Sequence, residues 1–337
     1  MVVPTKEIVA ANDNSRLRYA TTCSGIECAS LAFEPLGMMP VFFSEIEPFP
    51  KAVLAHHWPH VPDLGDLNGI DGRQWRGKVD VFWGSPPCQT YSSIGRRAGM
   101  ADPRGALSFK FVEVANDMAP HTIIIENSKG LISHAKDFHA LLCDLSGEDE
   151  GGGPARKFAA EGVRHGPRRN VAWRVLDALD FGLPQHRERV FVVATSRTSG
   201  IDPARVLSVG GSSQRNHRPH RAGWQNHPAA NDEGAAWFVN GDTRTKIRCE
   251  ETATLRAQAP HAFVMQGGRI RRLTPREWER LQGIRDDHTL IPWKGGWSPE
   301  SLRKTAVGNG LAVPVVRWIG ERLIEQVAAN DNVEGAQ

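Results

Sequence analysis

The residues best suited to chemistry fall in four short runs. In GSPPCQTYSS, Pro86 and Pro87 stiffen the backbone directly before Cys88. A lone cysteine is usually a small buried hydrophobe. One set behind Pro-Pro at the end of a strand-like run is presented, as an activated thiol nucleophile must be. In HTIIIENS, Glu126 ends a very apolar run, where desolvation raises a carboxyl pKa toward useful acid/base values. The same carboxylate could instead cap the following turn. In LPQHRERVF, Gln185, Arg187 and Arg189 alternate, so a strand would turn all three toward one side. They form a fork of donors or an exposed edge. TCSGIECAS is a glycine-containing turn. Glu45, at the next strand end, stands where a nucleotide-binding unit offers an acid to ribose hydroxyls, and Asp66 in LGDLN could add a contact. Both could also cap helices.

These runs need elements to bring them together. From Arg18 to about Thr195, short β-rich runs alternate with helical stretches: YATTCSG, PVFFSEIE, VDVFWGSPPC, HTIIIENS and ERVFVVATS as strands, ASLAFEPLG and PFPKAVLAHHWP as helices. That alternation implies βαβ units and a mainly parallel sheet. In such sheets the ligand crevice lies beyond the carboxyl ends of the strands, where Ser24, Gly25, Glu45, Cys88 and Glu126 all fall. Residues 146–170 read as an exposed insertion, and the alternation fades from Ser196 to about Gly268. A helix resumes at LTPREWERLQG with Thr274 as N-cap, Pro275 at its first position and Gly283 as stop. The amphipathic VPVVRWIGERLIEQVA should pack back on the large domain.

With 337 residues, 40% hydrophobic and 23% charged, the chain is neither disordered nor collagen-like nor a coiled coil. It shows no apolar leader and no membrane-length apolar stretch, so a cytoplasmic protein without membrane contact is expected. Five scattered cysteines (Cys23, Cys28, Cys88, Cys143, Cys249) lack zinc-ligand spacing, so no metal and no disulfide scaffold is expected. The net charge of +3 is uneven: −6 over residues 1–150, +8 over residues 151–225 and +1 over residues 226–337. The basic middle segment, nearly all arginine, is a solvated face or the footprint of a polyanion.

In order, the pieces resemble the DNA cytosine-5 methyltransferases over roughly residues 18–196 and 269–325. Residues 86–89, Pro-Pro-Cys-Gln, match the nucleophile motif; Glu126-Asn127 match Glu-Asn-Val, with Ser128 for valine. Gln185-His186-Arg187-Glu188-Arg189 match Gln-x-Arg-x-Arg. Residues 272–283, RLTPREWERLQG, match the late block, and Gly308-Asn309 the final motif, with Gly310 where serine is usual. The cofactor loop departs from Asp-Leu-Phe-x-Gly-x-Gly-Gly: Cys23 stands for the aromatic residue, and Glu27 and Cys28 for two glycines. This CSGIE form is similar to solitary phage and prophage enzymes.

The resemblance implies a Rossmann-like α/β class I methyltransferase fold, its mainly parallel sheet flanked by helices, plus a small, irregular, β-rich target-recognition domain. The implied domains are a catalytic, adenosylmethionine-binding one at 1–196 and 291–330, a target-recognition domain and hinge at 197–290, and a tail at 331–337. The expected reaction moves the methyl group of S-adenosylmethionine to carbon 5 of a flipped-out cytosine in duplex DNA through a Cys88 adduct. Glu126 would hold the ring at N3 and the exocyclic amine; Arg187 and Arg189 would hold the base and favour the thiolate. The implied cofactor residues are Cys23, Ser24, Gly25, Ile26, Glu45, Ile46, Asp66, Leu67, Pro86 and Asn309. Gln89, Ser92, Arg96, Arg97 and Gln185 are the implied DNA contacts, with residues 90–106 a lid. A monomer is expected, and a partner endonuclease is not indicated. Two alternatives remain at this level: an RNA cytosine-5 methyltransferase, and a catalytically silent DNA-binding protein. A Rossmann oxidoreductase fails, because no G-x-G-x-x-G follows the first strand.

Overall fold

The computed structural model describes residues 16–86, 103–149, 157–209, 236–239, 262–266 and 269–334. Cys88 and the expected DNA contacts Gln89, Ser92, Arg96 and Arg97 lie outside the described residues. Its frame is a seven-stranded sheet in the order β2-β1-β3-β4-β7-β6-β5. The strands are β1 (Arg18–Thr22), β2 (Met39–Phe42), β3 (Val81–Gly84), β4 (Thr122–Ser128), β5 (Glu161–His165), β6 (Arg169–Asp177) and β7 (Glu188–Ser196).

The first four strands are mutually parallel, each pair linked by a helix-bearing crossover. β7, β6 and β5 continue the sheet antiparallel. So the parallel pattern expected of ERVFVVATS gives way to a mixed sheet. The short connection between β6 and β7 holds only a 3-10 turn, Ala178–Phe181, too little for a parallel crossover. β5 and β6 were not among the expected strands. β5 lies inside the stretch read as an exposed insertion, and its edge position explains its alternating, half-exposed pattern.

β4, TIIIENS, is buried at all seven positions and occupies the centre of the sheet. β-branched residues suit this pleated surface, and their alternation supplies both faces. Ile123 and Ile125 join Phe82, Phe111, Leu141 and Leu142 on one side. Ile124 joins Tyr19, Phe33, Trp83, Val316 and Ile319 on the other. Burying each isoleucine contributes about 2 kcal/mol, so the strand that carries Glu126 is firmly anchored.

Thr274 caps the Pro275–Leu281 helix through a reciprocal capping box with Glu277. The Val313–Glu334 helix packs against the Cys28–Phe33 helix, returning the chain's end to the first strand–helix unit. Ile201, Val206 and Leu207, and likewise Leu273, Trp278, Leu281 and Ile284, belong to the same core cluster as β1 and β3. Parts of the 197–290 stretch assigned to recognition therefore pack with the large sheet, because their apolar side chains find their cover there. A separate three-stranded antiparallel sheet joins Ala236–Val239, Ala262–Gln266 and Arg269–Arg272. Among the described residues, no helix is long and apolar enough to cross a membrane.

Candidate active site

Because β2, β1, β3 and β4 are parallel neighbours, their carboxyl ends form one row. At the β4 end of that row, Glu126 is buried and its carboxylate meets Arg189 Nε at 3.0 Å. Register makes the meeting possible: Ser128 lies opposite Arg189, and Glu126 opposite Phe191. Burial pushes the Glu126 carboxyl above its ordinary range, and the charges of Arg189 and Arg187 pull it part of the way back. The result is a buried carboxyl oriented by Arg189.

Asn127, the next residue, donates from Nδ2 to the Pro86 carbonyl at 3.3 Å. Ser85 N donates to Thr22 O at 3.3 Å, and Trp83 Nε1 to Ser85 Oγ at 3.0 Å. The backbone entering Pro87-Cys88 is thus tied to β1, β3 and β4 at once. Asn127 entered the sequence reading as half of the matched Glu-Asn pair at the strand end, with no role of its own; its place beside Glu126 was the available signal.

The donor fork does not lie on one strand. β7 begins at Glu188, so Gln185 and Arg187 belong to the segment that approaches it. Gln185 is fully buried and donates to Leu281 O at 2.9 Å. Arg187, also buried, donates to Gly310 O at 2.6 Å and to Gly308 O at 3.4 Å, clamping the turn that carries Asn309. Arg189 faces the carboxylate directly. Asn309 itself is exposed at the end of the Glu300–Asn309 helix.

At the β1 and β2 ends, the loop 23–27 holds three left-handed residues: Cys23 (φ 50°), Gly25 (φ 57°) and Glu27 (φ 59°). Gly25 N donates to Glu45 Oε2 at 2.6 Å, and the other Glu45 oxygen accepts from Ile46 N and Glu47 N at 2.8 and 2.9 Å. Ile46 stands 62% exposed beside this buried carboxylate, an unusual place for isoleucine. Ser24 meets Ser44, and burial with the nearby Glu45 and Asp66 charges pushes the Cys23 thiol up to about 12. Asp66 is exposed and caps the turn at Leu67, which is buried. Cys23, Ser24, Gly25, Ile26, Glu45 and Ile46 therefore cluster; Asp66 and Leu67 lie on the neighbouring turn. Among the described residues, no group of three or more histidine, cysteine or acidic side chains could hold a metal.

His288 was invisible from the sequence, being 262 residues away from its partner: it contacts Ile26 O through Nε2 at 2.8 Å. Burial lowers its pKa to about 3, so the ring is neutral and Nε2–H donates. His57 stacks on it at 4.4 Å.

The model of the C-5 cytosine-specific DNA methylase family matches residues 17–220 and 209–325. The chain belongs to this family. Members move a methyl group from S-adenosylmethionine to carbon 5 of cytosine in DNA, with the target base flipped out of the helix. The chain is 29% identical to the type II methyltransferase M.NgoBI of Neisseria gonorrhoeae, over 87% of this chain and 88% of that one. It is 32% identical to the DNA N-6-adenine-methyltransferase of Escherichia phage P1, over 92% of this chain. It spans only 61% of that phage protein, whose named chemistry on adenine is said of that protein. The fold is similar to that of the Dnmt2 methyltransferase of S. pombe, with a TM-score of 0.62 at 16% identity, covering 92% of this chain and 98% of that one.

Proposed function

We propose that this chain carries out the family's reaction on duplex DNA with Cys88 as the nucleophile and Glu126, Arg187 and Arg189 as its supporting groups. The observation that carries this reading is the Glu126–Arg189 pair at the carboxyl end of β4, with Asn127 tied to Pro86 beside it.

Carbon 5 of cytosine is a poor nucleophile until carbon 6 has accepted an electron pair. The Cys88 thiolate supplies it, forming a sulfur–carbon bond while ring electrons move toward N3. Glu126, whose protonated form burial favours, donates to N3 as that charge develops and accepts from the exocyclic amine with its other oxygen. Arg189 fixes the carboxyl's orientation. Arg187 holds the Gly308–Gly310 turn and adds positive charge to the site. Carbon 5, now enamine-like, would take the methyl group of bound adenosylmethionine, the sulfonium sulfur keeping the electron pair of the broken bond; loss of the carbon-5 proton to a base then re-forms the ring double bond and expels the Cys88 thiolate.

The donor set at the β1 and β2 ends suits S-adenosylmethionine, which supplies an electrophilic methyl group when bound. Glu45 offers a carboxylate to ribose hydroxyls, exposed Ile46 an apolar face to adenine, and residues 23–26 backbone groups to the amino-acid end. Asp66, Leu67, Pro86 and Asn309 complete the proposed surround. Gln89, Ser92, Arg96 and Arg97 are the proposed DNA contacts. The recognition domain lies within residues 197–290, and flipping costs a few kcal/mol, repaid by contacts to the extruded base.

Nucleoside mass spectrometry on unmethylated duplex DNA incubated with adenosylmethionine tests the proposal. New 5-methyldeoxycytidine is expected with the native chain and none with Cys88→Ala. Equal methylation by both proteins, or methylation of RNA alone, would overturn it.

A further inference from the structure

Glu27 breaks three local rules at one position. It is a non-glycine residue in the left-handed region (φ 59°, ψ 51°), it carries a carboxyl group that is 1% exposed, and it caps a helix from that conformation. Departures of this kind concentrate where function requires them. A glycine would meet the backbone requirement at this position without strain. What glycine lacks is the carboxyl group.

That carboxyl is the hub of a chain of hydroxyls. Its Oε2 accepts from Thr21 Oγ1 at 2.8 Å; its Oε1 accepts from Ser30 N at 3.2 Å and Ser30 Oγ at 3.0 Å. Tyr19 OH closes the far side by donating to Ser30 Oγ at 2.6 Å. Thr21 Oγ1 pairs in turn with Ser24 Oγ at 2.7 Å, and Ser44 N donates to Ser24 Oγ at 3.1 Å. Ser44 Oγ ends the chain on Gly65 O at 2.7 Å. One buried group therefore links β1, the loop, the end of β2 and the turn after Asp63. His288 pins the same loop at Ile26 O.

We infer that Glu27 is the positioning residue of the cofactor loop, holding Ser24 and Gly25 in place for adenosylmethionine through Thr21. The inference rests on the reading of residues 23–26 as the cofactor loop. Glu27 does not touch the ligand; it acts through the hydroxyl chain and the left-handed backbone. Burial pushes its carboxyl up to about 8, so the neutral acid prevails at neutral pH, its Oε2–H then donating to Thr21 Oγ1, which passes its own proton on to Ser24 Oγ. Glutamine reproduces the neutral acid's shape and bonding.

The test combines calorimetric binding of adenosylmethionine with steady-state kinetics on the full chain. Glu27→Gly keeps the backbone conformation and removes the hub. It is expected to weaken adenosylmethionine binding and raise its KM about tenfold or more, leaving kcat and the KM for DNA within about threefold. Glu27→Gln should restore affinity to within about threefold of native. If Glu27→Gly does not fold, Thr21→Val, which cuts the chain between Glu27 and Ser24, should raise the same KM alone. Native affinity in Glu27→Gly or Thr21→Val overturns the inference while the cofactor reading stands. So does an equal loss for both substrates that glutamine does not rescue. Absence of binding by the native chain overturns both.

Discussion

At the scale of single residues, the active-site carboxyl is set by a contest between burial and two arginines. Burial is the larger influence on Glu126, with Arg189 and Arg187 opposing it. Burial favours the protonated carboxyl, the form that the proposed donation to N3 calls for. Removing Arg189 deletes the charge that opposes burial, so the Glu126 pKa must rise further. Arg189→Ala should therefore move the alkaline limb of the kcat–pH profile to higher pH. It should also lower kcat by about 100-fold, because a carboxyl that loses its partner loses its orientation. Arg189→Lys should recover part of the rate, since a lysine restores the charge without the planar fork. A limb that moved to lower pH would show that Arg189 does not act on Glu126.

At the scale of elements, the site depends on β3 and β4 lying flush against the Pro103–Met118 helix. Phe82 stacks on Phe111 at 4.5 Å, and a Cβ added to Gly84 would lie 2.4 Å from the Phe111 ring. Phe111 is fully buried and cannot swing away. Gly84→Ala should destabilise the fold by about 1–3 kcal/mol through overpacking, read as a lowered Tm. It should also cut methylation more than Tm alone explains, because Gly84 leads directly into Ser85 and Pro86.

The strands that carry this row were legible. YATT, VFWG and TIIIENS are short apolar runs ended by polar or glycine residues, and the positions of Ser24, Gly25 and Glu126 at the row of strand ends followed from them. β5 and β6 were not legible: NVAWRVLD follows a charged, glycine-rich stretch, and an edge strand such as EGVRH carries no continuous apolar signal. The tie from His288 to Ile26 joins distant parts of the chain and leaves no local pattern at all. Gln185 misled for a related reason. Its alternation with Arg187 and Arg189 suggested one strand, but the segment enters the core before the strand begins, and burial decides its partner.

At the scale of the whole molecule, charge counted along the sequence is not charge available at the surface. The +8 of residues 151–225 suggested a polyanion footprint. Yet Arg169 and Arg187 are buried on carbonyl groups, Arg164 pairs with Glu148, Arg174 with Glu161 and Arg189 with Glu126. These arginines build the antiparallel half of the sheet and the site. In the described part of that segment, Arg168, Arg197 and Arg205 are the exposed arginines. Arg215, Arg218 and Arg221, which also contribute to the +8, lie outside the described residues.

The proposed mechanism requires that one thiol, that of Cys88, bonds to the cytosine ring. The most direct measurement uses a mixed-sequence duplex pool containing 5-fluorodeoxycytidine, incubated with the chain and adenosylmethionine. Fluorine at carbon 5 cannot leave as a cation, so expulsion of the thiolate is blocked and the covalent complex accumulates. The account predicts a denaturant-resistant protein–DNA adduct whose peptide map places the base on Cys88. An adduct on Cys23, Cys28, Cys143 or Cys249, or turnover on cytosine with no adduct on the fluorinated pool, would contradict it.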